Sequence, residues 1–126
     1  MRKLILFLGT CAALVAGISW ADVGISTDLM QSIEDTNKSL SSNISLNDVK
    51  ASTADANELT DMFAQVETFF VQKGDAPDAV DLAKKSKELT MDIVNYMAAK
   101  NYEAATNAAT TVSRNCRTCH TFYKKE

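Results

Sequence analysis

Proline and glycine are scarce in this chain, which has one Pro and four Gly among 126 residues. This scarcity excludes collagen-like repeats and long disordered linkers, and it argues against a β-sandwich, because each of these depends on Gly or Pro. A single His excludes a multi-histidine metal site. Basic residues number 13 against 16 acidic ones, so the net charge of −3 offers no electrostatic footprint for nucleic acid. The length fits one domain, and the composition favours a small, acidic, soluble, helical protein.

The N-terminal residues have the three regions of a secretory signal peptide. Basic residues at positions 2 and 3 precede an apolar run over residues 4–17, and Ser19 and Ala21 put small residues at −3 and −1 of a cleavage site. A membrane anchor is one alternative, but about 14 apolar residues fall short of the roughly 20 that span a bilayer. A lipoprotein site at Cys11 would leave too short a hydrophobic stretch before the cysteine. We predict that residues 1–21 are a signal peptide and that residues 22–126 are a single exported domain without stable membrane insertion.

Cleavage after Ala21 changes the residue inventory. The mature chain has 105 residues, and the loss of two basic residues leaves 11 against 16 acidic ones, a net charge of −5. Its only cysteines are Cys116 and Cys119, which lie next to its only histidine, His120. Exported proteins normally join paired cysteines in disulfides, but these two are only three residues apart.

Apolar residues follow helical spacing along nearly all of the mature chain, and no stretch alternates with the period of two that a strand needs. We predict helices over about residues 27–42, 49–73, 77–100 and from 102 onward. Four helices joined by short turns predict an all-α fold, an antiparallel up-down-up-down four-helix bundle. The predicted inward stripes, in chain order, are Leu29, Met30, Ile33, Asn37, Leu40 and Ile44; Val49, Ala56, Leu59, Phe63, Val66 and Phe70; Leu82, Ser86, Leu89, Ile93, Tyr96 and Met97; and Tyr102, Ala105, Ala109, Val112, Cys116 and Cys119.

Turn and cap residues separate these segments. Residues 45–48 are predicted to form a turn that leads into an N-cap. Gly74 can take the left-handed conformation that ends a helix, and Pro77 suits the first turn of the next helix, with Asp75 or Ala76 as its cap. Asn101 is the predicted N-cap of the fourth helix.

Small side chains mark the fourth stripe, where Ala104, Ala105, Ala108 and Ala109 stand in place of the usual Leu or Ile. One interpretation is close contact between helices through alanine. The other is that a bound group fills the volume, because protein cores pack to near-crystalline density.

Residues 116–120 read Cys-Arg-Thr-Cys-His, the Cys-x-x-Cys-His pattern of c-type haem attachment. Thiols at i and i+3 project from one face of a helix and can reach the two vinyl groups at one porphyrin edge, where they form thioethers. His120 follows Cys116 by four residues, so its imidazole can reach the iron as the proximal ligand. We predict one haem c in the core of the bundle, attached covalently to Cys116 and Cys119.

Three alternatives fit the same residues less well. A thioredoxin-like redox site needs a βαβ setting, and none is visible. A structural zinc site takes four ligands, whereas only three cysteine or histidine candidates exist. A disulfide between residues three apart near the chain end would constrain almost no chain. A haem motif behind a signal peptide favours a bacterial periplasm.

A late Cys-x-x-Cys-His motif in an exported four-helix bundle resembles the cytochrome c′ family, the class II c-type cytochromes. The likeness covers residues 22–126 and is sharpest at the attachment motif and the aromatic and basic residues after it, although Lys124 stands where Arg is more usual. The chain also departs from many members in having only a short turn between its second and third helices. Leu29-Met30-Gln31 resembles the place where low-spin members carry a methionine ligand, which implies that Met30 is the sixth ligand of the iron.

The resemblance implies two alternative functions. With His120 and Met30 both bound to iron, the protein is an electron carrier that acts with redox partner proteins, and this is our prediction. With Met30 merely packed on the distal face, a five-coordinate iron would bind NO or CO instead. Met62, Met91 and Met97 are weaker candidates for the sulfur ligand. We see no acid–base pair or open nucleophile in the sequence that suggests an enzyme. The sequence does not decide whether the protein forms a homodimer.

Overall fold

The computed structural model describes residues 25–123, with side chains up to Thr121; the predicted signal peptide lies outside the described residues. Four helices follow one another: α1 (Thr27–Ser45), α2 (Val49–Lys73), α3 (Pro77–Ala98) and α4 (Tyr102–Tyr123). Residues 25–123 contain no strand, so the predicted all-α class is confirmed. Helix α1 runs three residues beyond its predicted end and α3 ends two residues before its predicted end.

Polar side chains cap three of the helices at their N-termini. Ser26 Oγ accepts a hydrogen bond from the backbone N–H of Leu29 at 3.1 Å, and Asp48 Oδ1 accepts one from Ala51 at 2.9 Å. At α4, the predicted cap Asn101 accepts from the N–H of Ala104 at 3.2 Å through its Oδ1. Each bond satisfies one of the donors that the first turn of a helix leaves unpaired.

The break between α2 and α3 follows the predicted chemistry. Gly74 has a φ of +78°, the left-handed conformation that glycine adopts without strain, and its N–H donates to the carbonyl of Phe70. Pro77 stands at the start of α3, where its missing N–H leaves nothing unpaired. Of the two predicted caps, Ala76 occupies the N-cap position, and it makes no side-chain cap bond.

Each helix packs against its neighbours in the chain, and α1 also packs against α4. This arrangement is compatible with a four-helix bundle. None of the helices among the described residues is long and apolar enough to cross a membrane. The buried apolar side chains, which form one cluster, are Ile33, Leu40, Ile44, Ala56, Leu59, Met62, Phe63, Val66, Phe70, Ala76, Ala79, Ala83, Ile93, Met97, Ala105, Ala108, Ala109 and Val112.

The buried face of α3 differs from the predicted one. Leu82, Leu89 and Tyr96 were predicted to point inward, but they are only half-buried. The centre of the face follows alternating steps of three and four residues along smaller side chains, and the larger apolar residues lie beside it at the edge of the core. The buried residues of α3 are Ala79, Ala83, Ser86, Thr90, Ile93 and Met97.

Candidate haem-attachment site

Cys116 and Cys119 lie one turn apart near the C-terminal end of α4. Both side chains are half-buried and pack against the core cluster, and neither forms a disulfide. They continue the inward face of α4 that begins with Ala105, Ala109 and Val112. His120, the next residue, is exposed. The helix therefore directs two thiols toward the core and leaves the imidazole at its edge.

The surroundings of the two thiols keep them protonated. Burial raises the pKa of Cys116 from 9.0 to about 11, with smaller contributions from neighbouring Cys119 and the negative charge of Glu34. Burial also raises the pKa of Cys119. Because the thiolate is the reactive form of cysteine, both side chains are weak nucleophiles at neutral pH in this environment.

Two hydrogen bonds hold the turn of α4 that precedes Cys116. Asn37 Nδ2, from α1, donates to Ser113 Oγ at 2.7 Å. Asn115 Nδ2 donates to Ser86 Oγ of α3 at 3.2 Å. The part of α4 directly before Cys116 is therefore hydrogen-bonded to both of the helices that flank α4, namely α1 and α3.

Met30, the predicted sixth ligand, lies in the first turn of α1. Its side chain is half-buried and packs against the core cluster. No hydrogen bond, ion pair or other electrostatic interaction among the described residues joins it to His120. Of the weaker candidates, Met62 and Met97 are buried in the core, whereas Met91 is 49% exposed.

Small side chains occur on two helices, of which sequence reasoning found one. Three of the four alanines singled out on α4 are buried, and Ala104 is half-buried. They lie in the turns before the attachment motif. The N-terminal half of α3 adds Ala79 and Ala83, and Ala76 precedes them at the N-cap; none of the three was in the predicted stripe. Their steps of three and four residues, continuing to Ser86, were the signal that could have revealed them.

Across residues 25–123 no three His, Cys, Asp or Glu side chains are arranged to hold a metal ion. Covalent haem attachment does not require such a cluster, because two thiols bond to the porphyrin and a single imidazole binds the iron. Comparison with models of protein families, with curated proteins and with solved structures found no match to this chain.

Proposed function

We propose that the protein is a mono-haem c-type cytochrome of the periplasm that carries electrons. Cys116 and Cys119 would hold the haem through two thioethers, and His120 and Met30 would bind its iron. Within this class, the late attachment motif and the early methionine favour a low-spin member of the cytochrome c′ family. The bound haem would supply a one-electron couple at its iron.

An antiparallel bundle is the topology that the side-chain bonds support. Thr60 hydrogen-bonds Thr90 at 2.8 Å, and Glu67, seven residues further along α2, pairs with Lys87, which precedes Thr90 on α3. The order of these two contacts supports an antiparallel α2–α3 pair. Only three residues connect each pair of consecutive helices, which leaves antiparallel packing as the natural arrangement for all of them.

The observation that carries the proposal is the bond between Asn37 and Ser113, because it identifies one pair of residues at which α1 and α4 meet. Moving seven residues from this bond toward the same end of an antiparallel pair reaches Met30 on α1 and His120 on α4. Seven residues are two helical turns, about 10.5 Å. In an antiparallel pair, the two predicted iron ligands would therefore lie at about the same level along the bundle.

A second interaction supports the same register. Three residues from the bond toward that end are Glu34 on α1 and Cys116 on α4, and the charge of Glu34 is one of the causes that raise the pKa of the Cys116 thiol. A carboxylate perturbs a thiol in this way only at short range. This electrostatic contribution of Glu34 supports the same register.

Three features of the residues present support a haem. The two thiols pack against the core from α4, and the buried face of α3, which packs on α4, includes the small side chains of Ala79, Ala83 and Ser86. The imidazole of His120 is accessible at the helix edge. In this arrangement α4 would orient the porphyrin edge, α1 would supply the sulfur ligand, and the apolar side chains between them would exclude water from the iron.

Attachment is tested on protein made in a host competent for cytochrome maturation. We expect one haem per chain that survives acid and organic extraction, because thioethers are covalent. Replacing both Cys116 and Cys119 by Ala should make the haem extractable. Mass spectrometry that finds an unmodified polypeptide from such a host would overturn the proposal.

The role of Met30 is tested by Met30→Ala. If its sulfur binds the iron, the variant should change from a low-spin to a high-spin or water-ligated spectrum and should bind CO quickly. Its reduction potential should fall, because methionine ligation raises the potential. Met91→Ala removes an exposed methionine and serves as the matched control, for which we expect no spectral change.

The alternative function gives the opposite result before any mutation. A wild-type protein that is already high-spin and takes up NO readily would exclude the electron-carrier proposal. Met30 would then be a packing residue on the distal face of a gas-binding cytochrome.

A further inference from the structure

Two polar side chains interrupt the buried stripes of α1 and α3 beside the attachment segment. Asn37 is 9% exposed and stands between Ile33 and Leu40 in its stripe. Ser86 is 2% exposed and stands between Ala83 and Thr90. Asn37 donates a hydrogen bond to Ser113 of α4, and Ser86 accepts one from Asn115 of α4. Both of these α4 residues lie within the three positions before Cys116.

The buried Asn37 side chain stabilises the core less than an apolar side chain of similar size would. Its Oδ1 is buried and has no hydrogen-bond partner, whereas its Nδ2 donates to Ser113. A buried acceptor without a partner destabilises the folded state, and an apolar side chain of similar size would avoid this loss. A buried polar residue in a helical seam is, however, the device that fixes register between helices.

We propose that Asn37 and Ser86 are positioning residues that set the axial position of α4, and through it the level of His120 relative to Met30. This inference rests on the proposed function for its consequence at the iron. A slide of α4 by one helical turn is about 5.4 Å. Such a slide would break the bonds to Ser113 and Asn115 and would move the imidazole away from the level of the sulfur. A seam of purely apolar residues would oppose the slide far less, because apolar contacts are not directional.

The test compares three variants of the full mature chain. Asn37→Leu/Ser86→Ala removes both bonds from the α1 and α3 sides. Ser113→Ala/Asn115→Ala removes the same two bonds from α4, at half-buried positions where loss of folding is less of a risk. Thr90→Val is the control, because Thr90 is fully buried and its hydrogen bond joins α2 to α3 rather than to α4.

Two measurements follow on each variant. Nuclear Overhauser contacts between α1 and α4 report the register whether or not the protein carries haem, and the low-spin fraction and reduction potential report the iron. In both double variants we expect the α1–α4 contacts to move to other residue pairs, or a second set of contacts to appear beside the first. We also expect a smaller low-spin fraction and a changed reduction potential. Thr90→Val should keep the wild-type contacts, spectrum and potential even if its melting temperature falls.

The outcomes separate this inference from the proposed function. Wild-type contacts in both double variants would overturn it, and so would shifted contacts in the first double variant alone, since hydrogen bonds would then not be the cause. Shifted contacts with an unchanged low-spin fraction and potential would overturn the link to the iron. A wild-type protein without haem would refute the proposed function, while the contacts would still decide the register.

Discussion

The effect of the fold on the pKa and reactivity of Cys116 and Cys119 can be tested directly on the polypeptide without haem. Burial is the main cause that raises the pKa of Cys116 from 9.0 to about 11, with Cys119 and Glu34 adding to it. At any pH below 9 the folded protein should therefore hold roughly one hundredth of the Cys116 thiolate found in the unfolded chain, because each unit is a factor of ten. Residues 22–126, purified from a host that lacks cytochrome maturation, would be alkylated with iodoacetamide and the rate at each cysteine followed by mass spectrometry.

The midpoint of the pH–rate profile is the quantity to compare. For Cys116 it should lie near pH 11 in the folded chain and near the ordinary thiol value in guanidinium, with Cys119 also shifted upward. Glu34→Gln should move the Cys116 midpoint downward by a smaller amount, because the charge of Glu34 is a minor cause of the shift. Folded and unfolded profiles that coincide for Cys116 would refute the reasoning.

The same shift predicts how stability depends on pH. A thiol with a raised pKa in the folded state binds its proton more tightly there than in the unfolded chain. The contribution of Cys116 is therefore present in full below pH 9 and is lost as the pH rises through about 11. Two units correspond to roughly 3 kcal/mol. Urea titrations at pH 8 and pH 10.5 should show the loss, and Cys116→Ala should reduce it.

Two further predictions concern stability. Leu59→Ala, at a fully buried position of α2, should lower the free energy of unfolding by about 2–5 kcal/mol, because it removes buried apolar surface and leaves a cavity. Leu46→Ala, at a side chain that is 73% exposed, should change it by less than about 0.5 kcal/mol. Equal effects of the two variants in urea denaturation would contradict the described core. Gly74→Ala should cost roughly 1 kcal/mol although a Cβ there meets nothing within 4 Å, because the cost comes from the positive φ alone; a neutral result in the same assay would mean that the turn relaxes.

The attachment motif illustrates what local sequence can and cannot predict. Cys116, Cys119 and His120 are adjacent in sequence, so helical geometry alone predicted that the two thiols would share a face, and both do lie toward the core. Their chemistry as a haem site remains a prediction. The raised pKa of Cys116 depends on burial by other helices and on Glu34, more than eighty residues away in sequence, and no local pattern contains it.

The sequence by itself determined where the helices lie. Gly74 and Pro77 act through their backbone conformation and Asn101 through a side-chain hydrogen bond to the backbone three residues on, so all three are local signals, and the predicted boundaries agree with the structure to within three residues. Only the tertiary structure decided that the small residues of α3 face the core while Leu82 and Leu89 flank it. Both faces of that helix have helical spacing, and the choice between them depends on how closely α2 and α4 approach. The register of α1 against α4 is likewise visible only in the tertiary structure, in the hydrogen bond between Asn37 and Ser113, which are 76 positions apart, because register between helices is a property of their contact and not of either sequence alone.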